Sequence, residues 1–502
     1  METNPKIAEL KALVNEFTDL RHAISLLSWD KQTYMPPGGA VERGYHMATL
    51  SRIAHLKLTS DEVGRLLEDL KPLAAELDPD SNDARLIKVT SRLYEKQTKV
   101  PAELVAEIAK VTSDAHLVWE QARENSDFDR FRPYLERIVD LRRHYAALFA
   151  PYDHIYDPLL DDYEPGLKTA EVQAIFSTLR PQQVELIRRI TERPQVDDSF
   201  LHQPFDEKKQ WDFGAEVVTR YGYDWKRGRQ DKAVHPFTIH FGIGDVRITT
   251  RFLPDYFPSA FFSTTHESGH AIYEQGINPD LNRTTLGNGA SLGIHESQSR
   301  LYENLIGRSR DFWLFFYPTL QKYFPTQLGN VPLETFYKGI NKVEPSLIRV
   351  EADEATYNLH VMLRLELEIA LIEGGLAVKD LPEVWENGMR AYLGVTPPND
   401  AQGVLQDVHW SSGYIGYFST YALGNLISAQ LWECVNQEIP DLSDQIRRGD
   451  FTELTGWMRE KIHRHGKKFE PQELVQRITG SKIDPAPYIR YLNTKFGEIY
   501  GL

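Results

Sequence analysis

The sequence predicts a mainly α-helical protein that carries one small β-hairpin. Two observations predict it. Apolar residues recur at steps of three and four over most of the chain, the signature of helices that bury one face. Only one segment breaks that rhythm, with near-alternating β-branched and aromatic residues. The 502 residues are 41% hydrophobic and 26% charged, within the range of a folded globular chain.

The elements follow in order. Ile7, Leu10, Val14, Phe17, Leu20, Ile24 and Leu27 share one face of a first helix. Leu104, Ile108 and Val111 repeat the step, and Phe131–Phe149 sustains it with charges opposite. Breaks such as Pro36-Pro37-Gly38-Gly39 and Thr396-Pro397-Pro398 punctuate the pattern. Phe237–Phe241 and Val246–Phe252, joined by residues 242–245, form the hairpin. Pro258 and Gly276 then bracket one helix, and a second begins after Gly287-Asn288-Gly289 and Gly293. Trp410 to Trp432 is uncharged, but Ser411, Ser412, Ser419, Asn425 and Gln430 make it a buried helix and loop, not a membrane span.

No internal repeat, low-complexity tract or Gly/Ser linker divides the chain. One large helical domain over 1–502 is expected. A weak seam at Arg193–Lys208 gives approximate lobes, 1–195 as an N-terminal helical cap and 196–502 as the metal-binding catalytic portion. Lysine plus arginine is 57 and aspartate plus glutamate 72, a net charge of −15. That argues against nucleic acid or an anionic membrane as partner, while leaving room for a local basic pocket. With one cysteine, Cys434, there is no intramolecular disulfide. The start, Met1-Glu2-Thr3-Asn4-Pro5, has neither a basic run nor an apolar core, so a cytoplasmic protein is expected.

The chemistry lies in His266-Glu267-Ser268-Gly269-His270, between Pro258 and Gly276. Residues i and i+4 of a helix share a face, so the two imidazoles can hold one metal ion, and Glu267 sits beside them as a base. Gly269 costs a helix about 1 kcal/mol relative to alanine, which is explained if something packs close to the backbone there. The third ligand is expected from the next helix. Glu296 is the first choice and His295 its rival, because no histidine stands six residues after His270. Two imidazoles and one carboxylate leave a fourth position for water, the catalytic arrangement. Glu303 or Ser299 can orient these ligands from behind.

Beyond this motif the sequence resembles the carboxypeptidase Taq family of metallocarboxypeptidases. His235-Pro236-Phe237 resembles its His-Pro-Phe block, and Asp245-Val-Arg247-Ile-Thr249 its Asp-x-Arg-x-Thr block. His295-Glu296-Ser297-Gln298 is similar to its third-ligand block, and Ile348-Arg349-Val-Glu-Ala352-Asp353 to Ile-Arg-x-x-Ala-Asp. Gly403-Val-Leu-Gln406-Asp407-Val-His409-Trp410 resembles Gly-x-x-Gln-Asp-x-His-Trp. The resemblance implies a two-lobed zincin-type fold with a deep cleft, one divalent metal ion per chain, a homodimer, and removal of C-terminal residues from peptides. It implies His266, His270 and Glu296 as ligands and Glu267 as general base, the residues that the helix spacing selects.

The expected reaction is metal-assisted hydrolysis of peptides with a free C-terminus. Zinc is the first choice, with cobalt or manganese accepting similar ligands. The oxyanion needs a further donor, for which His409 and Tyr421 are the candidates and Tyr414 and Tyr417 competitors. The substrate carboxylate calls for an arginine. Arg349 is chosen by resemblance and by its Arg-x-x-x-Asp unit, with Asp353 as a purely structural partner; Arg247 and Arg251 on the hairpin are alternatives. A related zinc oligoendopeptidase or peptidyl-dipeptidase is the competing enzyme. A helical binding protein with a vestigial metal site is the non-enzyme alternative, against which Glu267 argues.

Overall fold

A computed structural model describes residues 4–502. The reading of the chain start as signal-free begins on the three residues outside that range. Helices dominate, and from Asn4 to Tyr221 the described residues form helices and turns with no strand. The first helix, Pro5–Thr33, is capped by Asn4, whose side chain accepts from the Lys6 N–H, with Pro5 in its first turn. Its apolar stripe has two fates. Ile7, Leu10 and Val14 are buried with Val63, Leu66, Leu67, Leu70 and Ile87 from the helices Asp61–Glu76 and Asn82–Lys99. Phe17 onward is only half-buried, because from there the helix borders a cleft lined by Phe17, Thr18, His22 and Ser25.

A second, much larger core runs from Ala115 to Tyr500. Its aromatic centre holds Phe213, Phe257, Phe261 and Trp313, with Phe213 and Phe261 ring centroids 5.4 Å apart and Phe261 and Trp313 5.2 Å apart. Fully burying each such side chain contributes roughly 1.5–3 kcal/mol. Phe257 and Phe261 lie on the helix Phe257–Gly276, so this cluster anchors the N-terminal half of the helix that carries the metal motif. Pro258 in its first turn and Gly276 at its end stand where the sequence places them.

The hairpin forms, and a further strand joins it. Strand β1 is Gln230–Lys232, β2 is Thr238–His240 and β3 is Val246–Thr250, in the order β1-β3-β2. β2 and β3 are antiparallel with Thr238 opposite Ile248, whereas β1 runs parallel to β3. Gly242, at φ +107°, supplies the left-handed residue of the β2–β3 turn. The sheet is tied to the metal helix: Thr250 Oγ1 lies 2.9 Å from Thr264 Oγ1, and Gln230 Nε2 donates to Thr250 Oγ1 at 2.8 Å.

The uncharged stretch becomes turns up to Phe418 and then the helix Ser419–Glu438. Its polar side chains are buried but partnered. Asn425 Nδ2 donates to Asn358 Oδ1 at 2.7 Å, and Gln430 Nε2 to Thr479 Oγ1 at 3.0 Å. Among the described residues no helix is long and apolar enough to cross a membrane.

Candidate active site

Three segments meet at one point. The metal helix supplies His266 and His270, the helix Leu292–Arg300 supplies Glu296, and Ser419–Glu438 backs the latter. Glycines allow the approach. A Cβ on Gly269 would lie 2.6 Å from Gln298 O and 2.7 Å from Ser299 Cα, so these two helices touch backbone to backbone there. A Cβ on Gly424 would meet Glu296 Cβ at 2.5 Å. The close packing that Gly269 calls for is thus the second helix itself.

One ligand atom from each of His266, His270 and Glu296 falls within 4.8 Å of the other two. Glu296 Oε2 is 3.7 Å from His266 Nε2 and 3.6 Å from His270 Nε2. The hydrogen bonds behind the rings assign their tautomers. Glu303 Oε2 lies 2.8 Å from His266 Nδ1, so in the neutral ring that nitrogen carries the proton and Nε2 keeps its lone pair. His295 Nε2 is 2.6 Å from Glu274 Oε1, leaving His295 Nδ1 to accept from His270 Nδ1 at 3.2 Å. His270 therefore also turns a bare Nε2 toward Glu296. His295 supports His270 from behind and is not brought into the ligand cluster.

Glu296 is oriented by Arg300, whose Nε donates to Oε1 at 2.7 Å, and by Ser299 Oγ, 3.3 Å from Oε2. Arg300 also reaches Glu303 at 3.2 Å. Burial pushes the His266 imidazole down, but Glu296 and Glu303 outweigh it and raise it to about 8, so near neutrality Nε2 also carries a proton, which a bound cation would displace. The pocket favours positive charge, as a cation site must. Two Nε2 atoms and one carboxylate oxygen, each fixed from behind, fit a divalent ion.

Glu267 is 6% exposed and lies on the cleft floor. Thr238 of β2 donates to its Oε2 at 2.7 Å. Burial raises the carboxyl above its ordinary value, while His266 and Thr238 oppose the rise. Aromatic side chains line the same cleft. Tyr417 and Tyr421 line the cleft with ring centroids 5.3 Å apart. His409 does not line it; its Nε2 sits 3.2 Å from Tyr421 Oη. Burial and Arg349 push the His409 imidazole down to about 3, so it is neutral. Tyr414 is exposed and outside the cleft lining.

The two arginines expected to bind the substrate lie outside the cleft wall. Arg349 is 4% exposed and absent from the cleft wall. Its Nε and Nη2 donate to Asp407 Oδ1 at 3.0 and 2.7 Å, and its Nη1 to Tyr357 Oη at 2.8 Å. Arg364 Nε takes the other oxygen of Asp407 at 2.5 Å. Burial alone would raise Asp407, but the two guanidinium groups hold it well below the usual carboxylate range. Asp353 does not pair with Arg349; it caps a turn, accepting from the Ala355 and Glu344 N–H groups at 2.9 and 3.0 Å. Arg247 closes on Asp245 at 2.8 and 2.7 Å and lies 4.2 Å from the Trp29 ring centroid, bracing the hairpin against the first helix.

Sequence reasoning missed Arg300 and Thr238. Arg300 carried a signal, standing four residues after Glu296 on one helix. Thr238 carried none, since strand alternation does not say which helix a strand will cover.

Two imidazoles and a carboxylate around one point, a buried glutamate beside them and a cleft of about 1430 Å³ define a metallopeptidase-type site. The profile of the carboxypeptidase Taq (M32) metallopeptidases matches residues 9–496, and the chain belongs to that family of peptide hydrolases. It is 43% identical to thermostable carboxypeptidase 1 of Thermus thermophilus over 489 residues, 95% of each chain. It is 37% identical to carboxypeptidase 1 of Bacillus subtilis over 501 residues, 100% of each chain. Its fold matches the M32 carboxypeptidase of Deinococcus radiodurans with a TM-score of 0.96 at 39% identity, covering 99% of this chain and 100% of the other.

Proposed function

We propose that the protein is a metal-dependent carboxypeptidase in which His266, His270 and Glu296 hold one divalent ion and Glu267 is the general base. The observation that carries this reading is the convergence of two Nε2 atoms on Glu296 beside a buried Glu267. A divalent cation in that position supplies Lewis acidity toward a peptide carbonyl and toward water.

The chain's own groups do the rest. Glu267 takes the proton of the attacking water on a carboxylate oxygen and delivers it to the leaving amine. Thr238 holds that carboxylate in place. Tyr421 Oη stands in the cleft wall, 3.2 Å from Nε2 of neutral His409, and is the hydroxyl this reading assigns to the developing oxyanion. Arg349 and Arg364, through Asp407, hold this pair from behind, and Arg349 in this reading acts on the substrate by way of Tyr421, 4.9 Å from its guanidinium to the ring centroid. Zinc as the resident ion, a homodimer and the two lobes rest on the family resemblance; a cytoplasmic location is supported by cysteine usage, with Cys434 the one cysteine of the sequence.

The test is the time course of amino acids released from an unblocked peptide and from its C-terminal amide, with zinc or cobalt and with chelator. Sequential release from the free acid alone, abolished by chelation, supports the reading. An amide cleaved as fast as the acid removes the exopeptidase assignment.

A further inference from the structure

A carboxypeptidase needs a cation that meets the substrate's carboxylate, and Arg349 and Arg247 both point their charge into the protein. The cleft holds others. Around Asp161 its wall carries Lys88, Arg92, Lys96, Arg142 and Lys467 against three acids, Asp161, Asp162 and Glu470. Lys88 pairs with Glu470 at 3.2 Å, and Arg92 pairs with Asp161 and Glu470. Lys96 pairs with Asp161 at 2.6 Å and Asp162 at 2.7 Å. The acids are used up by these three. Of these five cations two are in no ion pair, and Lys468 beside them in the same wall is in none either, on a chain whose net charge is −15.

The two unpaired among the five are Arg142 and Lys467. Among the described residues neither has a carboxylate partner, although both are half-buried. Arg142 Nε is buried with no hydrogen-bond partner. Its guanidinium sits where Gly413, at φ +73°, leaves room: a Cβ there would lie 3.2 Å from Nη2. It adjoins Tyr163, whose ring centroid is 5.1 Å from that of Tyr417, so it lies on the side of the cleft that carries the Tyr417–Tyr421 wall. Lys467 is held by its backbone, its N–H donating to Leu286 O at 2.9 Å, next to the cleft-lining segment 288–292. Burial pushes its ammonium down, with Arg92 and Lys96 adding to the effect. An unpaired, partly desolvated cation is costly unless an anion arrives.

We propose that Arg142 and Lys467 form the seat for a carboxylate of the peptide substrate. The proposal rests on the carboxypeptidase reading and adds the recognition element to it. An arginine fork and a lysine point charge in the wall of one cleft suit one planar carboxylate, either the terminal one or an acidic side chain.

The experiment measures binding, by calorimetry, of a peptide ending in a D-residue, which is not turned over, to the metal-loaded protein. The probes are its free acid, its amide, and the amide with one upstream Gln→Glu change. Wild type is compared with Arg142→Gln, Lys467→Gln and the double variant, with Arg142→Lys as the conservative control. The expected result is a Kd at least tenfold higher in the double variant for a carboxylate-bearing probe, with the neutral amide unaffected, melting temperature unchanged and partial recovery in Arg142→Lys. Loss confined to the free acid assigns the terminal carboxylate, and loss confined to the Glu probe assigns an acidic side chain. Equal affinity of wild type and double variant for every probe overturns the proposal. Intact carboxylate-dependent binding without release of terminal residues from normal peptides would instead remove the carboxypeptidase reading and leave the seat standing.

Discussion

The hydroxyl of Thr238 lies 2.7 Å from Glu267 Oε2 and 2.8 Å from the carbonyl oxygen of the same residue. One proton has two acceptors on one glutamate. A strand residue thereby fixes both the backbone and the carboxylate of the proposed base, so the sheet has a local purpose at the site. Thr238→Val keeps the shape and removes the donor. It is expected to lower kcat by about tenfold or more, the scale of one lost hydrogen bond to a charged group, with KM little changed. Thr238→Ser is expected to keep most of the activity. Steady-state kinetics of the two variants check this; a valine variant as active as wild type would remove Thr238 from the mechanism.

Gly269→Ala forces a methyl group against Gln298 O and Ser299 Cα. Backbone atoms cannot rotate away, so the helices must separate. Overpacking of this kind costs about 1–3 kcal/mol, against which alanine regains about 1 kcal/mol of helix propensity. The expected outcome is a lower melting temperature and weaker zinc affinity together, because the helix that moves carries Glu296. A raised melting temperature with unchanged affinity would mean the contact is looser than described.

Glu303 accepts from His266 Nδ1 and from Arg300. Glu303→Gln loses the charge that both partners face. Zinc affinity is expected to fall by about 10–100-fold, measured by competition with a chelating dye, while the zinc-saturated enzyme keeps its KM. Unchanged affinity would show that the His266 ring needs no such support.

Stability is expected to fall with rising pH through Glu368. Burial raises this carboxyl to about 7, against the three donors it meets: Tyr156 Oη at 2.6 Å, Trp410 Nε1 at 2.8 Å and the Gly416 N–H at 2.9 Å. The folded state then keeps its proton where an unfolded glutamate, near about 4.3, has released it. The unfolded state binds fewer protons in that window, so this contribution is full below the unfolded value and is lost as pH climbs through about 7. Urea denaturation of wild type and Glu368→Gln from pH 5 to 8 checks it. The wild-type slope across that range should be the more negative; parallel slopes would contradict it.

How much of this was legible before folding depends on distance along the chain. The metal helix was legible, because His266 and His270 are one turn apart and Pro258 and Gly276 mark its ends. The helical class and the β2–β3 hairpin follow from local periodicity in the same way. Strand β1 was not legible: Gln230-Asp231-Lys232 has no apolar alternation and exists only because β3 offers an edge to it. Arg349 had an acid four residues on, yet pairs with Asp407, 58 residues away. Arg142 and Lys467 come from segments more than 300 residues apart, and what distinguishes them is a missing partner, which no sequence pattern records.

The central claim is that His266, His270 and Glu296 bind the ion while Glu267 beside them moves the proton and binds nothing. Metal content and turnover of Glu267→Gln, measured on the same zinc-loaded sample beside wild type, test it most directly. One zinc per chain in both proteins, with turnover of the variant down by about 10²–10⁴-fold, is the result the geometry predicts. A variant that keeps its zinc and cleaves peptides near the wild-type rate would contradict it, and so would one that fails to bind zinc at all.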